Sequence, residues 1–92
     1  MLLLFMVIEK FKDPRAVYRR ARERGRMLPE GLRYVDSWVD AHLSRCWQLM
    51  ECEDAGLLQE WVRRWEGLVE FEIVPVLTSK QASEAASGQP NA

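Results

Sequence analysis

The sequence predicts an α+β fold, and three observations support this. The chain has 92 residues, which is the length of one domain. Two segments carry helix start and stop signals around an apolar stripe, and four carry the apolar runs or the alternation of strands. In chain order they read β-α-β-β-α-β, the order of a ferredoxin-like sandwich with a four-stranded antiparallel sheet and both helices on one face. We expect this domain to occupy residues 1–77.

The first strand and the first helix have the clearest signals. Residues 2–8 are continuously apolar, which indicates a strand that is covered on both faces and is therefore central in the sheet. Asp13 is predicted to cap the helix that follows, with Pro14 at its first position and Gly25 after its end. The helix segment also carries Arg15, Arg19, Arg20, Arg22, Arg24 and Arg26. These arginines form either a solvated face or a basic patch for an anionic ligand or the acidic part of a second subunit.

Residues 32–42 alternate in the manner of an edge strand. One face carries Val35, Ser37, Val39 and Ala41, and the other carries Tyr34, Asp36, Trp38, Asp40 and His42. The next predicted strand is "RCWQLMEC", residues 45–52. A two-residue loop at Leu43-Ser44 would pair His42 with Arg45, Asp40 with Trp47, and Trp38 with Leu49. Because neither loop residue is a strong hairpin former, a slip of the register stays open; a slip of two residues keeps the faces, and a slip of one swaps them.

The segment "EDAGLLQEWVRRWEG" predicts the second helix, with Asp54 as its N-cap and Gly67 as its C-cap. Trp61 and Trp65 lie four residues apart, so we expect both in the core. The following "LVEFEIVPVL" alternates and predicts the second edge strand. Residues 78–92 contain almost no bulky apolar side chain, and we expect a disordered tail there.

The predicted topology leaves one face of the sheet bare. The first and third strands lie in the centre, the two alternating strands lie at the edges, and both helices cover the same face. Trp38, Trp47 and Leu49 then lie on the bare face, and an exposed apolar patch of that kind usually marks an interface. A chain of this length buries only about 60% of its surface on folding. We therefore expect a homodimer through this face.

Charge and cysteine usage argue against several functional classes. The net charge of −1 and the pI of about 5.8 argue against a general nucleic-acid binder. Cys46 and Cys52 lie on one predicted strand about 20 Å apart, beyond disulfide reach, so we expect free, buried thiols in a reducing cytoplasm. The apolar N-terminal run stops at Glu9, which is too short for a membrane span. We expect a cytoplasmic protein with neither a nucleic-acid nor a membrane partner.

Asp36, Asp40 and His42 are the candidate catalytic residues. If a dimer cavity enclosed an aspartate between aromatic rings, loss of solvent would raise its pKa into the range that acid–base catalysis uses. The alternative is that the carboxylates lie at the rim and pair with Arg33, Arg45 or a second subunit. Asp40 and His42 lack a third ligand, so we expect no metal, and no cofactor-binding motif is present. The candidate ligand or interface residues are Tyr34, Trp38, Arg45, Trp47 and Leu49.

The stretches "RGRMLPEGLRYVDSWVD", "RCWQLMEC" and "LLQEWVRRW", the last followed by "LVEFEIVPV", resemble a family of small uncharacterised bacterial proteins, a domain of unknown function. The resemblance covers residues 2–78. That family is grouped by fold with the dimeric α/β-barrel proteins, which implies two subunits that pack their bare sheet faces into a barrel-like core. Barrels of this kind include small monooxygenases, lactone isomerases, haem-dependent enzymes and ligand-sensing domains, but a shared fold does not transmit function.

Two hypotheses about function follow. The first is a homodimeric binding or structural module that holds a small, partly apolar ligand between sheet and partner, or only itself. The second is a small cofactor-independent enzyme, of the isomerase or monooxygenase kind, that uses Asp36, Asp40 and His42. A deeply buried aspartate with a raised pKa would favour the enzyme, and solvated aspartates would favour the module.

Overall fold

The computed structural model describes residues 1–88, and its elements follow the predicted order with one addition. The strands are β1 (Leu3–Phe11), β2 (Arg33–Val39), β3 (Arg45–Cys52) and β4 (Val69–Val76), and the helices are α1 (Pro14–Arg24), α2 (Gly56–Arg64) and α3 (Ser79–Ala86). The strands form one antiparallel sheet in the order β2-β3-β1-β4. The predicted ferredoxin-like α+β fold is confirmed, with β1 and β3 in the centre of the sheet.

The core lies on the side of the sheet that carries α1 and α2. Its buried members are Phe5, Val7, Val17, Leu32, Met50, Cys52, Leu58, Trp61, Trp65 and Val69. The prediction that Trp61 and Trp65 are core residues is confirmed, and both indole N–H groups donate to the carbonyl oxygen of Arg26, at 2.8 and 3.0 Å. Because a buried indole N–H needs an acceptor, these bonds hold the segment after α1 against α2. They also fix the backbone position of Arg26.

The predicted ends of α1 are confirmed. The Asp13 carboxylate accepts the backbone N–H of Arg15 at 3.1 Å, and Pro14 is the first helical residue. Gly25 follows the helix with φ of 66°, a conformation that a residue without Cβ adopts at least cost. Arg26 follows directly after it and lies next to the sheet, where its side chain contacts Gln48 of β3 and Tyr34 of β2.

The register of the β2–β3 hairpin differs from the predicted one by two residues. Trp38 pairs with Trp47 and not with Leu49, so the predicted two-residue loop at Leu43-Ser44 and its residue pairs are wrong. A shift of two residues leaves the faces of a strand unchanged. Trp38 and Trp47 therefore still lie on the side of the sheet that the helices leave bare.

Asp40 is the physical reason for the different register. Its backbone N–H donates to the carbonyl oxygen of Arg45 at 3.0 Å. Its carboxylate accepts the backbone N–H groups of Ser44 and Arg45 at 2.7 and 3.0 Å. Aspartate often closes turns in this way, and here it closes a four-residue loop over residues 41–44. As a result β2 ends at Val39 and does not reach residue 42.

A bulge at Val35 changes the faces of β2. Tyr34 pairs with Met50 and Asp36 pairs with Leu49, the adjacent residue of β3, so Val35 has no partner across the strands. An extra residue of this kind shifts the alternation by one position. Tyr34 therefore lies on the helix side and Asp36 on the other side, and the prediction that they share a face is wrong.

The predicted caps of α2 are also wrong. The helix begins after Ala55 and ends before Trp65, so Asp54 and Gly67 both lie outside its cap positions. Asp54 instead accepts the backbone N–H of Gly56 at 2.8 Å, which closes the turn before the helix. Asp54 therefore lies one residue before the N-cap, and Gly67 lies two residues after the C-cap.

The segment predicted as a disordered tail contains a helix. Ser79–Ala86 form α3, which begins with a capping box between Thr78 and Gln81. This local pair of hydrogen bonds supports a helix start without an apolar stripe, which explains why hydrophobic patterning did not reveal α3. Every residue of α3 is exposed. Residues 89–92 of the predicted tail lie outside the described residues.

Candidate functional site

The side of the sheet away from α1 and α2, called the open face below, has an apolar centre. Its apolar side chains are Leu4, Met6, Ile8, Trp38, Trp47, Leu49, Val74 and Val76. Charged side chains flank them, namely Lys10, Arg33, Asp36, Arg45, Glu51, Glu70 and Glu72. Trp38 is 53% exposed, and Trp47 and Leu49 are half-buried. Four of the predicted ligand or interface residues thus lie on this face, with Arg45 at its charged edge.

Tyr34, the fifth predicted ligand or interface residue, lies on the helix side. Its hydroxyl is 2.7 Å from the hydroxyl of Ser37. The guanidinium of Arg26 lies 3.6 Å from the centroid of the Tyr34 ring, which is a cation–π contact. Tyr34 therefore helps to position Arg26 and is not part of the open face.

The three predicted catalytic residues occupy two different settings. Asp36 lies on the open face and accepts the backbone N–H of Ser37 at 2.8 Å. Asp40 closes the 41–44 loop, where its hydrogen bond from the Ser44 hydroxyl is the main cause of a pKa lowered to about 2. His42 is exposed in the same loop. Since acid–base catalysis by a carboxyl near neutral pH needs a raised pKa, this geometry does not favour Asp40, and the catalytic role of the three residues stays a prediction.

A buried carboxyl that the sequence analysis missed lies on β1. Glu9 is only 5% exposed, because it continues the inward-facing series of Phe5 and Val7 at two-residue spacing. In the sequence, Glu9 marks the end of the apolar run, and the run therefore does not predict it as a buried residue. The strand β1 in fact continues to Phe11. The two-residue spacing is the sequence signal that could have found it.

Glu9 titrates near neutral pH because of where it lies. Burial raises its pKa to about 7, since the ionised carboxylate loses its solvation, and the hydrogen bond from Gln48 and the charge of Arg26 oppose this shift. The Gln48 side-chain NH₂ donates to the Glu9 carboxyl, and the Gln48 carbonyl oxygen accepts the Arg26 Nε–H at 3.4 Å. A chain of polar contacts therefore runs from the buried carboxyl to an exposed guanidinium. Both protonation states of Glu9 are populated near neutral pH.

These groups line a cavity of about 210 Å³ between the sheet and the two helices, called the Glu9 pocket below. Much of its wall is apolar or aromatic, and includes Phe11, Val17, Tyr18, Ala21, Trp61 and Trp65. Glu9, Gln48, Arg26 and the Ser37 hydroxyl supply its polar groups. An apolar cavity with a few convergent polar groups is the usual form of a small-molecule site.

Cys46 also lines the Glu9 pocket, but it is not poised to react. Both cysteines are free and buried, as predicted. Burial, with a smaller contribution from the charge of Glu9, raises the pKa of Cys46 to about 12, whereas reactive thiols have lowered pKa values. Burial also raises the pKa of Tyr18. Glu9 is therefore the better candidate in this pocket for a change of charge near neutral pH.

Neither a metal site nor a membrane-crossing helix is found within residues 1–88. In that range, no three or more His, Cys, Asp or Glu side chains are grouped so that they could hold a metal ion. Each helix of the same range is too short or too polar to cross a bilayer.

Comparison with known proteins gives a match to a family model. A family model described as "Domain of unknown function (DUF3303)" matches residues 3–89, which is nearly the whole chain. No curated protein and no solved structure matches the chain. The family match carries no assigned activity.

Proposed function

We propose that this chain, which belongs to the DUF3303 family of domains, is a homodimeric module that binds a small, partly apolar ligand. One observation carries the proposal: the Glu9 pocket places a buried carboxyl, an amide and a guanidinium at the polar end of an apolar cavity. The ligand lies between the sheet and the helices α1 and α2 in this proposal, whereas the sequence analysis placed it between the sheet and a second subunit. The open face is then left for association.

The burial of Glu9 supports a role in binding. Burying a carboxyl costs stability unless hydrogen bonds replace its solvation. Within residues 1–88, the Glu9 carboxyl has one hydrogen-bond partner, the Gln48 amide. Its remaining hydrogen-bonding capacity is therefore available to a molecule in the pocket. Polar groups that reduce stability are characteristic of functional sites.

The size and charge of the open face support the proposed homodimer. Four strands about 4.8 Å apart, with about eight residues at about 3.3 Å each, cover about 500 Å² before side-chain relief is counted. Stable interfaces bury about 800 Å² on each subunit, which is of the same order. The apolar centre is flanked by both signs of charge, Lys10 and Arg45 against Glu70 and Glu72. A twofold interface needs such a surface, because the same patch must face itself.

A variant that fills the Glu9 pocket tests the binding function. Ala21 lines the pocket from α1, so we expect Ala21→Leu to occupy part of the cavity and to abolish ligand binding. NMR signals of the Trp61 and Trp65 indole N–H groups would be followed during titration with benzene-sized compounds of different charge. Ala85→Leu, on exposed α3, is the matched control and should bind as the wild type does. Equal binding by both variants would refute the pocket as the ligand site.

Acid–base catalysis is a second candidate function, and the pKa of about 7 for Glu9 favours it. A Glu9 carboxylate could take a proton from a carbon beside a carbonyl group and return one from solvent to the same carbon. We expect the wild type to speed exchange of the methyl protons of acetophenone for deuterium in heavy water, and Glu9→Gln to lose this effect. Variants Asp40→Asn and His42→Gln test two of the three residues that the sequence singled out. If these two variants lose the exchange while Glu9→Gln keeps it, the assignment to Glu9 is wrong.

A further inference from the structure

The polar end of the Glu9 pocket indicates which class of ligand it holds. We propose that the pocket binds the anion of a small, partly apolar carboxylic acid, and that Glu9 takes up one proton as the anion binds. This inference rests on the proposed function, because it requires the pocket to be a ligand site. It adds the charge of the ligand and the proton that accompanies binding.

The dimensions of the pocket suit a ring or short branched chain with one polar group. Its volume is about 210 Å³, and an apolar cavity of about 150 Å³ is known to hold benzene. Phe11, Val17, Trp61 and Trp65 supply apolar or aromatic wall. The volume that remains beside a benzene-sized ring is enough for one carboxylate at the polar end of the pocket.

Arg26 is positioned to receive a carboxylate. Its Nε–H donates to Gln48, and its guanidinium is stacked on Tyr34 at 3.6 Å. The two terminal NH₂ groups of Arg26 have no hydrogen-bond acceptor within residues 1–88. A guanidinium held in place with free N–H groups is well suited to a carboxylate, which it can bind through two parallel hydrogen bonds.

The charges around Glu9 favour an anion over a cation. Arg26 is the cationic group beside Glu9, and the pocket residues Trp61 in α2 and Trp65 directly after it carry no charge. Tyr18 from α1 and Cys46 from β3 are neutral, because burial raises the pKa of each. On β4, the residue paired with Glu9 is the uncharged Phe71. An ammonium ligand would be repelled by Arg26, whereas a carboxylate is attracted to it once Glu9 is neutral.

Binding of an anion is therefore coupled to protonation of Glu9. Two negative charges in one small cavity repel each other, so the anion selects the protonated form. The free pocket has Glu9 protonated in part near neutral pH, since its pKa is about 7. The apparent affinity follows the protonated fraction and falls about tenfold between about pH 6 and about pH 8.

Benzoate is the probe, with benzamide as its uncharged match and benzylamine as its cationic match. Indole N–H signals of Trp61 and Trp65 report on the pocket, and those of Trp38 and Trp47 on the open face serve as internal controls. Calorimetry in two buffers with different heats of ionisation measures the protons taken up. Glu9→Gln keeps a neutral side chain of the same shape at every pH. Arg26→Gln removes the guanidinium and is expected to weaken benzoate but not benzamide.

The expected result is that benzoate shifts the Trp61 and Trp65 signals and binds about tenfold more weakly at about pH 8 than at about pH 6. At the higher pH, the wild type takes up close to one proton for each benzoate bound. The variant Glu9→Gln binds benzoate with an affinity that does not depend on pH. If benzamide or benzylamine binds at least as tightly as benzoate, the ligand class is wrong although the pocket remains a ligand site. The same pH dependence in Glu9→Gln would refute proton uptake by Glu9. If none of the three probes shifts these signals, this inference and the proposed function both fail.

Discussion

Trp38→Ala is expected to weaken the proposed dimer between about thirtyfold and about a thousandfold in its dissociation constant. The lower figure corresponds to one hot-spot residue worth about 2 kcal/mol. The upper figure arises because a twofold interface contains the residue twice. Trp38 is 53% exposed in the single chain, so the fold itself should lose little. Sedimentation velocity over a range of protein concentrations measures the change.

A matched control comes from the loop between β2 and β3. Leu43 is a large exposed apolar residue, as Trp38 is, but it lies in the loop and not on the open face. Leu43→Ala should therefore leave the dissociation constant unchanged. A wild-type chain that stays monomeric at all concentrations would show that the open face does not mediate self-association. Equal weakening by both variants would remove the special role of Trp38.

The sequence predicted the architecture because each element carries its own local signal. The alternating edge strands, the Asp13-Pro14 helix start and the final Gly25 each fix a boundary by short-range chemistry. The order of these elements then leaves one compact topology. The same reasoning placed Trp38 and Trp47 on the open face, because a register error of two residues does not move a side chain to the other face.

The details that patterning missed depend on single hydrogen bonds. The register of the hairpin follows from the carboxylate of Asp40, which captures two backbone N–H groups of the loop. The position of Tyr34 follows from one extra residue, Val35. Hydrophobic periodicity reveals neither the hairpin register nor the bulge. A hydrogen bond in a turn and a β-bulge each change which residues pair across the strands without changing the amino-acid composition. These two details separate Asp36 from Tyr34 and leave Asp40 and His42 together at the loop, outside the strand face on which the sequence grouped all four.

The candidate site was missed for a different reason. A glutamate after an apolar run is ordinarily the end of a buried strand, because charged side chains are rarely buried without a partner. Glu9 is an exception, since Gln48 on β3 donates to it across the sheet. That contact requires β1 and β3 to be neighbours in the observed register. It is tertiary information, and a single strand's sequence does not contain it.

Glu9 is expected to make the free energy of unfolding fall as pH rises. Its pKa is about 7 in the folded protein, against an ordinary value of 4.5. The folded state therefore holds the Glu9 proton more tightly than the unfolded state does. The stability linked to that proton is fully present below pH 4.5 and is lost as pH rises to about 7. A difference of this size corresponds to roughly 3 kcal/mol.

Glu9→Gln isolates this effect, because glutamine has the same shape and no proton to lose. We expect the variant to match the wild type near the acid end of the window and to exceed its stability by up to roughly 3 kcal/mol above about pH 7. Urea unfolding at fixed protein concentration across this range measures the difference, and the fixed concentration keeps any dimer contribution constant. Glu84→Gln, which replaces an exposed glutamate on α3, is the control and should keep the wild-type profile.

Asp40 acts in a separate pH range and does not obscure this result. Its hydrogen bonds lower its pKa from 3.8 to about 2, so the stability it contributes is present above pH 3.8 and is lost as pH falls toward 2. The window of Glu9 begins where that of Asp40 has ended. A stability profile of Glu9→Gln that parallels the wild type between about pH 5 and about pH 7 would therefore mean that Glu9 is not a buried, titrating carboxyl. The proton-coupled binding proposed for the pocket would then lose its physical basis.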